Sequence, residues 1–131
     1  MLNVSAGVVV SKSKILCFQK GQSKYDYLTN KYEFPGGKIE SKESPEQALI
    51  REFNEELHAD VKQTDLKLLC ESTYNYPDFS VKIYAFIINI DSFEYTLTEH
   101  QQAIWLSIDE LDSLDWAEAD KAIVQKLKET L

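Results

Sequence analysis

The chain has 131 residues, 44% of them apolar, with 22 acidic against 14 basic side chains and a formal net charge of -8. That length and apolar share suit one domain with one core, taken as residues 1–131. The charge excludes duplex nucleic acid and an anionic membrane as main partners, because both reward a basic face.

No run reaches the roughly 18–20 apolar residues of a membrane span. Met1 to Gly7 shows no basic segment followed by an apolar one, so no secretory leader is expected and a cytoplasmic location is predicted. Cys17 and Cys70 lie in apolar, strand-like runs without a second ligand at metal-site spacing, which suits reduced thiols better than a disulfide or a zinc site.

In chain order, Leu2 to Val10 reads as a β-branched strand, Ser11 to Lys14 as a turn and Ile15 to Phe18 as the second arm of a hairpin. Gly21 to Lys31 is a polar loop with two tyrosines. Tyr32 to Glu40 is a short strand broken by a Pro35-Gly36-Gly37 corner. Ser44 is a good N-cap, Pro45 suits the first helical position and Gln47 completes a capping box. Leu49, Phe53 and Leu57 then mark the buried stripe of a helix over 45–57. Leu66 to Tyr76 and Ser80 to Ile90 read as two long strands. Ile104 to Leu106 reads as a short one, followed by a short helical piece capped by Ser107. Ile123, Val124, Leu127 and Leu131 define one face of a terminal helix over 117–131. These elements predict an α+β fold with a mixed, largely antiparallel sheet and two main flanking helices.

Glu52, Glu55 and Glu56 stand at i, i+3 and i+4, so they share one helix face opposite Phe53 and Leu57. Three like charges repel, and hard divalent cations relieve that repulsion through the oxygen ligands they prefer. A solvated acidic face is the alternative. Upstream, the Pro-Gly-Gly corner lets backbone approach a metal or phosphate closely, and Lys38 offers a point charge. Arg51 is the only arginine in the chain, which suits a bidentate role that lysine cannot fill.

Gly37, Glu43, Arg51, Glu52, Phe53, Glu55 and Glu56 form the spacing G-x5-E-x7-R-E-F-x-E-E. This resembles the Nudix box, and Tyr32 to Glu40 is similar to the MutT branch of that superfamily. Tyr74 to Asp78, Trp105 and Ala119-Asp120-Lys121 extend the resemblance over nearly the whole chain. It implies an α/β/α sandwich and a hydrolase that cleaves a nucleoside triphosphate to the monophosphate and pyrophosphate with magnesium, manganese being a substitute. It also implies metal ligation by Glu52, Glu55, Glu56 and the Gly36 carbonyl, with Arg51 orienting Glu52 and Glu43 fixing the loop–helix joint. Glu99 resembles a carboxylate that relatives bring from a distant loop, as a ligand or general base. One position departs: His58 stands where the family has a glycine suited to the left-handed turn that ends the helix.

For the base, Asp120 matches a position that reads the base edge in relatives. Ionised, it accepts from cytosine N4 or guanine N1 and N2; protonated, it donates to a purine O6. N-capping or an ion pair to Lys121 is the structural alternative. Phe34 and Phe79 are candidate stacking surfaces, or core. Lys20, Glu33 and Lys38 complete the candidate substrate-binding set. The resemblance therefore implies turnover of 8-oxo-dGTP, a nucleotide-pool sanitation reaction linked to DNA repair, or of CTP or a modified dCTP. A non-catalytic nucleotide-binding module is the reading from another class; it predicts loss of a box carboxylate, and every one is present. The partner expected is a small nucleotide, and the chain a monomer or homodimer.

Overall fold

The computed structural model describes Met1–Leu131. Strands β1 (Leu2–Ser11) and β2 (Lys14–Lys20) form a hairpin whose two central residues, Lys12 and Ser13, both take positive φ, 50° and 65°. That twist matches the right-handed twist of the arms. The arms pair only at Val10↔Ile15 and Ser11↔Lys14 and then part. Along the rest of its length β1 takes β6 (Ser80–Asn89) in parallel, and at Val4–Ala6 the short β4 (Gly36–Lys38) in antiparallel. β2 takes β7 (His100–Leu106) along its other edge and, where β1 has parted from it, β3 (Tyr32–Glu33) in place of β1, while β5 (Leu66–Asn75) closes the far edge beside β6. The sheet is mixed, with β1–β6 the one parallel pairing between two strands; Tyr32 of β3 also makes a single parallel bridge to Trp116.

Side chains alternate across the sheet. Val8, Val10, Ile15 and Cys17 face one way, packed with Ile123, Val124 and Leu127 of α2 (Glu118–Thr130). Val9, Leu16 and Phe18 face the other way, packed with Leu49, Phe53 and Leu57 of α1 (Pro45–Leu57). The result is a sheet between two helices. Gly7 sits where α1 crosses β1, and a Cβ there would stand 2.6 Å from Cζ of Phe53. A bare backbone is what lets the helix lie this close.

The capping box of α1 forms as the sequence predicts: Gln47 N–H donates to Ser44 Oγ at 3.1 Å, and Ser44 N–H to Gln47 Oε1 at 2.9 Å. Burying Leu49, Phe53 and Leu57 contributes about 1.5–3 kcal/mol each. Repulsion among the glutamates costs only a few tenths per pair. Packing wins, and the helix carries its acidic face. At its end His58 takes φ 51°, the left-handed conformation that the missing glycine would adopt freely.

Two expectations change. β7 begins at His100 rather than Ile104, so His100 to Ala103, outside the expected strand, are strand paired with β2 across a bulge at Gln19/Lys20. The Gly21 to Lys31 loop contains a turn of 3-10 helix at Asp26–Leu28. Cys17 is buried and Cys70 half-buried, and both are free thiols. No helix is long and apolar enough to cross a membrane.

Candidate active site

Arg51 organises the acidic face of α1. Its Nε and Nη2 donate to the two oxygens of Glu43 at 2.7 and 3.0 Å, a bidentate fork. Nη1 donates to Glu52 at 2.8 Å and to Glu55 at 3.3 Å, and Nη2 also reaches the Lys38 carbonyl at 3.0 Å. Glu43 in turn accepts the Glu40 N–H at 2.9 Å. The loop after the Pro-Gly-Gly corner is thus tied to the helix through one guanidinium. Arg51 holds the Glu43 carboxyl below its ordinary range, while Glu43 and Glu52 push the guanidinium still further toward its charged form.

The corner itself leaves no room for side chains. A Cβ on Gly36, whose φ is +155°, would meet the Ser5 carbonyl oxygen at 1.9 Å. A Cβ on Gly37 would lie 2.4 Å from the Glu52 carboxyl carbon. Glu52 therefore rests directly against bare backbone. Ser5, fully buried on β1, donates to the Pro45 carbonyl at 2.6 Å and so pins the start of α1 to the sheet beside this corner.

Glu56 turns into the neighbouring cleft of about 300 Å³, whose walls include Lys20, Glu33, Phe34, Gly36, Gly37, Lys38, Glu99, His100 and Asp120. Glu99 is brought there by the segment before β7. Thr96 N–H donates to the Leu57 carbonyl at 2.8 Å, and the Thr98 hydroxyl donates to the Glu56 carbonyl. These bonds satisfy carbonyls at the helix end that have no partner in the helix itself. Burial, a hydrogen bond with Glu52 and the charges of Glu99, Glu52 and Glu33 push the Glu56 carboxyl up to about 9.

Such crowding is what a hard divalent cation relieves. Glu52, Glu56 and Glu99 offer oxygen donors suited to magnesium or manganese, beside a Gly36-Gly37 cradle that a Cβ would fill. The residues fit such an ion, although no three carboxylate, imidazole or thiol groups are already gathered at ligating distance. Glu52 is engaged with Arg51, and the Glu55 side chain is 60% exposed.

At the other end of the cleft Asp120 is buried, and its Oδ1 accepts the Phe34 N–H at 3.2 Å. Burial first, then the charge of Glu33, push this carboxyl well above its ordinary range, against smaller opposing effects of the Phe34 N–H and Lys20. It does not pair with Lys121, which bonds Glu118 at 2.7 Å. Phe34 is buried, its ring stacked on Trp116 at 4.8 Å, so much of that ring belongs to the core. Phe79 is half-buried and packs on Tyr25 at 5.3 Å and Tyr76 at 5.1 Å, forming an aromatic wall of the same cleft.

One cleft residue is invisible to motif reasoning. His100 is buried, with Nε2 3.0 Å from Glu33 Oε2 and its ring 4.9 Å from Phe18. The two partners stand 67 residues apart, and only its place beside Glu99 could have drawn attention to it.

A sheet between two helices, with a Pro-Gly-Gly corner feeding an arginine-organised acidic helix face, defines a Nudix hydrolase of the MutT-like kind. The NUDIX domain family matches residues 1–127, and the chain belongs to it. It is 29% identical over 127 residues to an 8-oxo-dGTP diphosphatase of Escherichia coli (strain K12), covering 97% of this chain and 96% of that one. It is 31% identical to a CTP pyrophosphohydrolase of the same strain, covering 95% and 90% respectively. Among solved structures it superposes on a MutT NUDIX hydrolase from Burkholderia pseudomallei with a TM-score of 0.84 at 19% identity, covering 96% of this chain and 97% of that one.

Proposed function

We propose that the protein, one Nudix domain throughout, hydrolyses a nucleoside triphosphate to the monophosphate and pyrophosphate with magnesium. Its substrate in this reading is a purine triphosphate of the 8-oxo-dGTP type. Glu52, Glu55, Glu56, Glu99 and the Gly36 carbonyl would hold the metal, with manganese as a substitute. When bound, the ion supplies neutralisation of phosphate charge and an activated water. Arg51 keeps Glu52 turned toward the Gly37 backbone, Lys38 and Lys20 bring positive charge to the phosphate chain, and the cleft walls exclude solvent from the base. Water adds to the β-phosphorus, and the bond from that phosphorus to the α–β bridging oxygen breaks.

The observation that carries the base preference is Asp120. Its Oδ1 is occupied by the Phe34 N–H, and burial favours the neutral acid. A neutral acid has a proton to give, and the keto O6 of a guanine takes it. The exocyclic amine of cytosine would need an acceptor instead. The 8-oxo-dGTP diphosphatase relative supports the purine reading, and the CTP pyrophosphohydrolase supports the second one.

The test is pyrophosphate release from a panel of 8-oxo-dGTP, dGTP, CTP, dCTP and 5-methyl-dCTP with magnesium. Preference for the oxidised purine is expected. Preference for the cytidine compounds would replace the first reading with the second, and equal rates would sink both.

A further inference from the structure

A nucleotide has three parts in fixed order, and the cleft has three hydrogen-bonded or charged stations in the same order along two chain segments. Phe34 gives its N–H to Asp120 at 3.2 Å, at the end assigned to the base. Glu99 stands on the cleft with Glu56, at the end assigned to the phosphates. Glu33 immediately precedes Phe34, and His100 immediately follows Glu99. Along this path from Asp120 through Phe34 to Glu99, the 3.0 Å contact between Glu33 and His100 comes between the two ends, the place that the sugar of a nucleotide spanning them would take. Both residues line the cleft.

The chemistry of the pair is specific. The Nδ1 atom of His100 is buried without a partner, so Glu33 is the single polar contact of that ring. With its proton on Nε2 the imidazole donates to one carboxylate oxygen and fixes the direction of the other. The Glu33 side chain remains 26% exposed toward the cleft, against 4% for His100. A carboxylate held in this way is an acceptor and nothing else. The group on a deoxynucleotide that lies between base and phosphates and can donate is the 3′-hydroxyl.

We propose that Glu33 accepts a hydrogen bond from the sugar 3′-hydroxyl of the bound nucleotide, and that His100 is the positioning residue that holds Glu33 for it. This rests on the nucleotide reading above. A charge-assisted bond in a cleft makes the hydroxyl worth about tenfold or more in kcat/KM.

The experiment compares dGTP with 2′,3′-dideoxyGTP, and dCTP with 2′,3′-dideoxyCTP, for the full chain with magnesium, so either base preference is covered. The parent protein is expected to favour the 3′-hydroxyl form by about tenfold. Glu33→Ala should bring that ratio close to one. His100→Ala should lower it several-fold, and His100→Gln, whose amide can donate in place of Nε2, should restore part of it. A merely structural role would slow hydroxylated and dideoxy substrates alike and leave the ratio unchanged. Should Glu33→Ala fail to fold, as judged by circular dichroism, Glu33→Gln carries the test, because loss of the charge should shrink the ratio to a few-fold. A parent ratio near one, or a ratio insensitive to Glu33, overturns the inference and leaves the hydrolase reading standing. No turnover of any triphosphate overturns both.

Discussion

Arg51 holds both oxygens of Glu43 in a planar fork, at 2.7 and 3.0 Å, while its remaining terminal nitrogen reaches Glu52 at 2.8 Å. One guanidinium thus joins the loop after the glycine corner to a carboxylate of the proposed metal face. A lysine ammonium is a single point charge and cannot span this arrangement. Arg51→Lys should lower turnover by about 10–100-fold, the usual cost of losing a group that orients a metal ligand. Steady-state pyrophosphate release at saturating and limiting magnesium checks this. Unchanged turnover would show that the fork is only a structural clasp.

Glu55 differs from Glu52 in being open to solvent, with 60% of its side chain exposed and only a long contact to Arg51. Its removal therefore leaves the fold little changed, whatever its chemistry. Glu55→Gln is expected to reduce turnover by more than about a hundredfold, exceeding the cost of a supporting residue, at an unaltered melting temperature. Activity comparable to the parent would remove Glu55 from the metal site.

The two glycines of the corner make opposite demands. Gly36→Ala drives a Cβ to 1.9 Å from the Ser5 carbonyl oxygen at a φ that side chains rarely adopt. Nothing in that contact can yield except the sheet, so a stability loss of roughly 3 kcal/mol or more is expected in urea denaturation. For Gly37→Ala the nearest atoms all belong to the Glu52 carboxyl, from 2.4 Å, the end of a flexible side chain. It should cost activity more than stability. Equal losses of stability in the two variants would contradict this division.

How much of this was legible in the sequence follows from the range of each interaction. Ser44, Pro45 and Gln47 bound α1 within four residues, and the observed helix spans Pro45–Leu57 as expected. Local chemistry there is self-sufficient. β7 is the opposite case: His100, Gln101 and Gln102 carry no apolar alternation, and their strand geometry comes from pairing with Gln19 and Lys20 some eighty residues earlier. The Glu33–His100 contact fails to show for the same reason. In the sequence position alone marks Asp120; its burial and its bond to the Phe34 N–H arise only when residues 86 positions apart meet in the fold.

His58 tests the one place where the chain departs from the family pattern. The residue is exposed, ends α1 at φ 51°, and donates its N–H to the Asn54 carbonyl at 3.1 Å. A non-glycine residue there costs roughly 1 kcal/mol of backbone strain, partly offset because glycine gains more freedom in the unfolded chain. His58→Gly should therefore stabilise by up to about 0.5 kcal/mol, seen as a slightly higher urea midpoint with an unchanged slope. A lower midpoint would mean that the imidazole contributes something the backbone argument omits.

Asp120 sets a pH dependence whose sign can be worked out. Its folded-state pKa is raised well above its ordinary value, chiefly by burial and then by Glu33. Below that ordinary value, near 4, both folded and unfolded forms are protonated and nothing is lost. As the pH climbs from there toward the raised folded value, the unfolded chain gives up a proton that the native state keeps, so stability falls. Asp120→Asn keeps an acceptor for the Phe34 N–H and removes the titration. The variant should be more stable than the parent at pH 7 to 8, the gain vanishing toward pH 3. Because an amide also donates, the variant should keep turnover of a guanine-type substrate if the neutral acid is the working form. A variant that is less stable at pH 8 would mean that the native state holds Asp120 ionised. The carboxyl would then have no proton to donate, and the preference for a purine substrate would lose its physical basis.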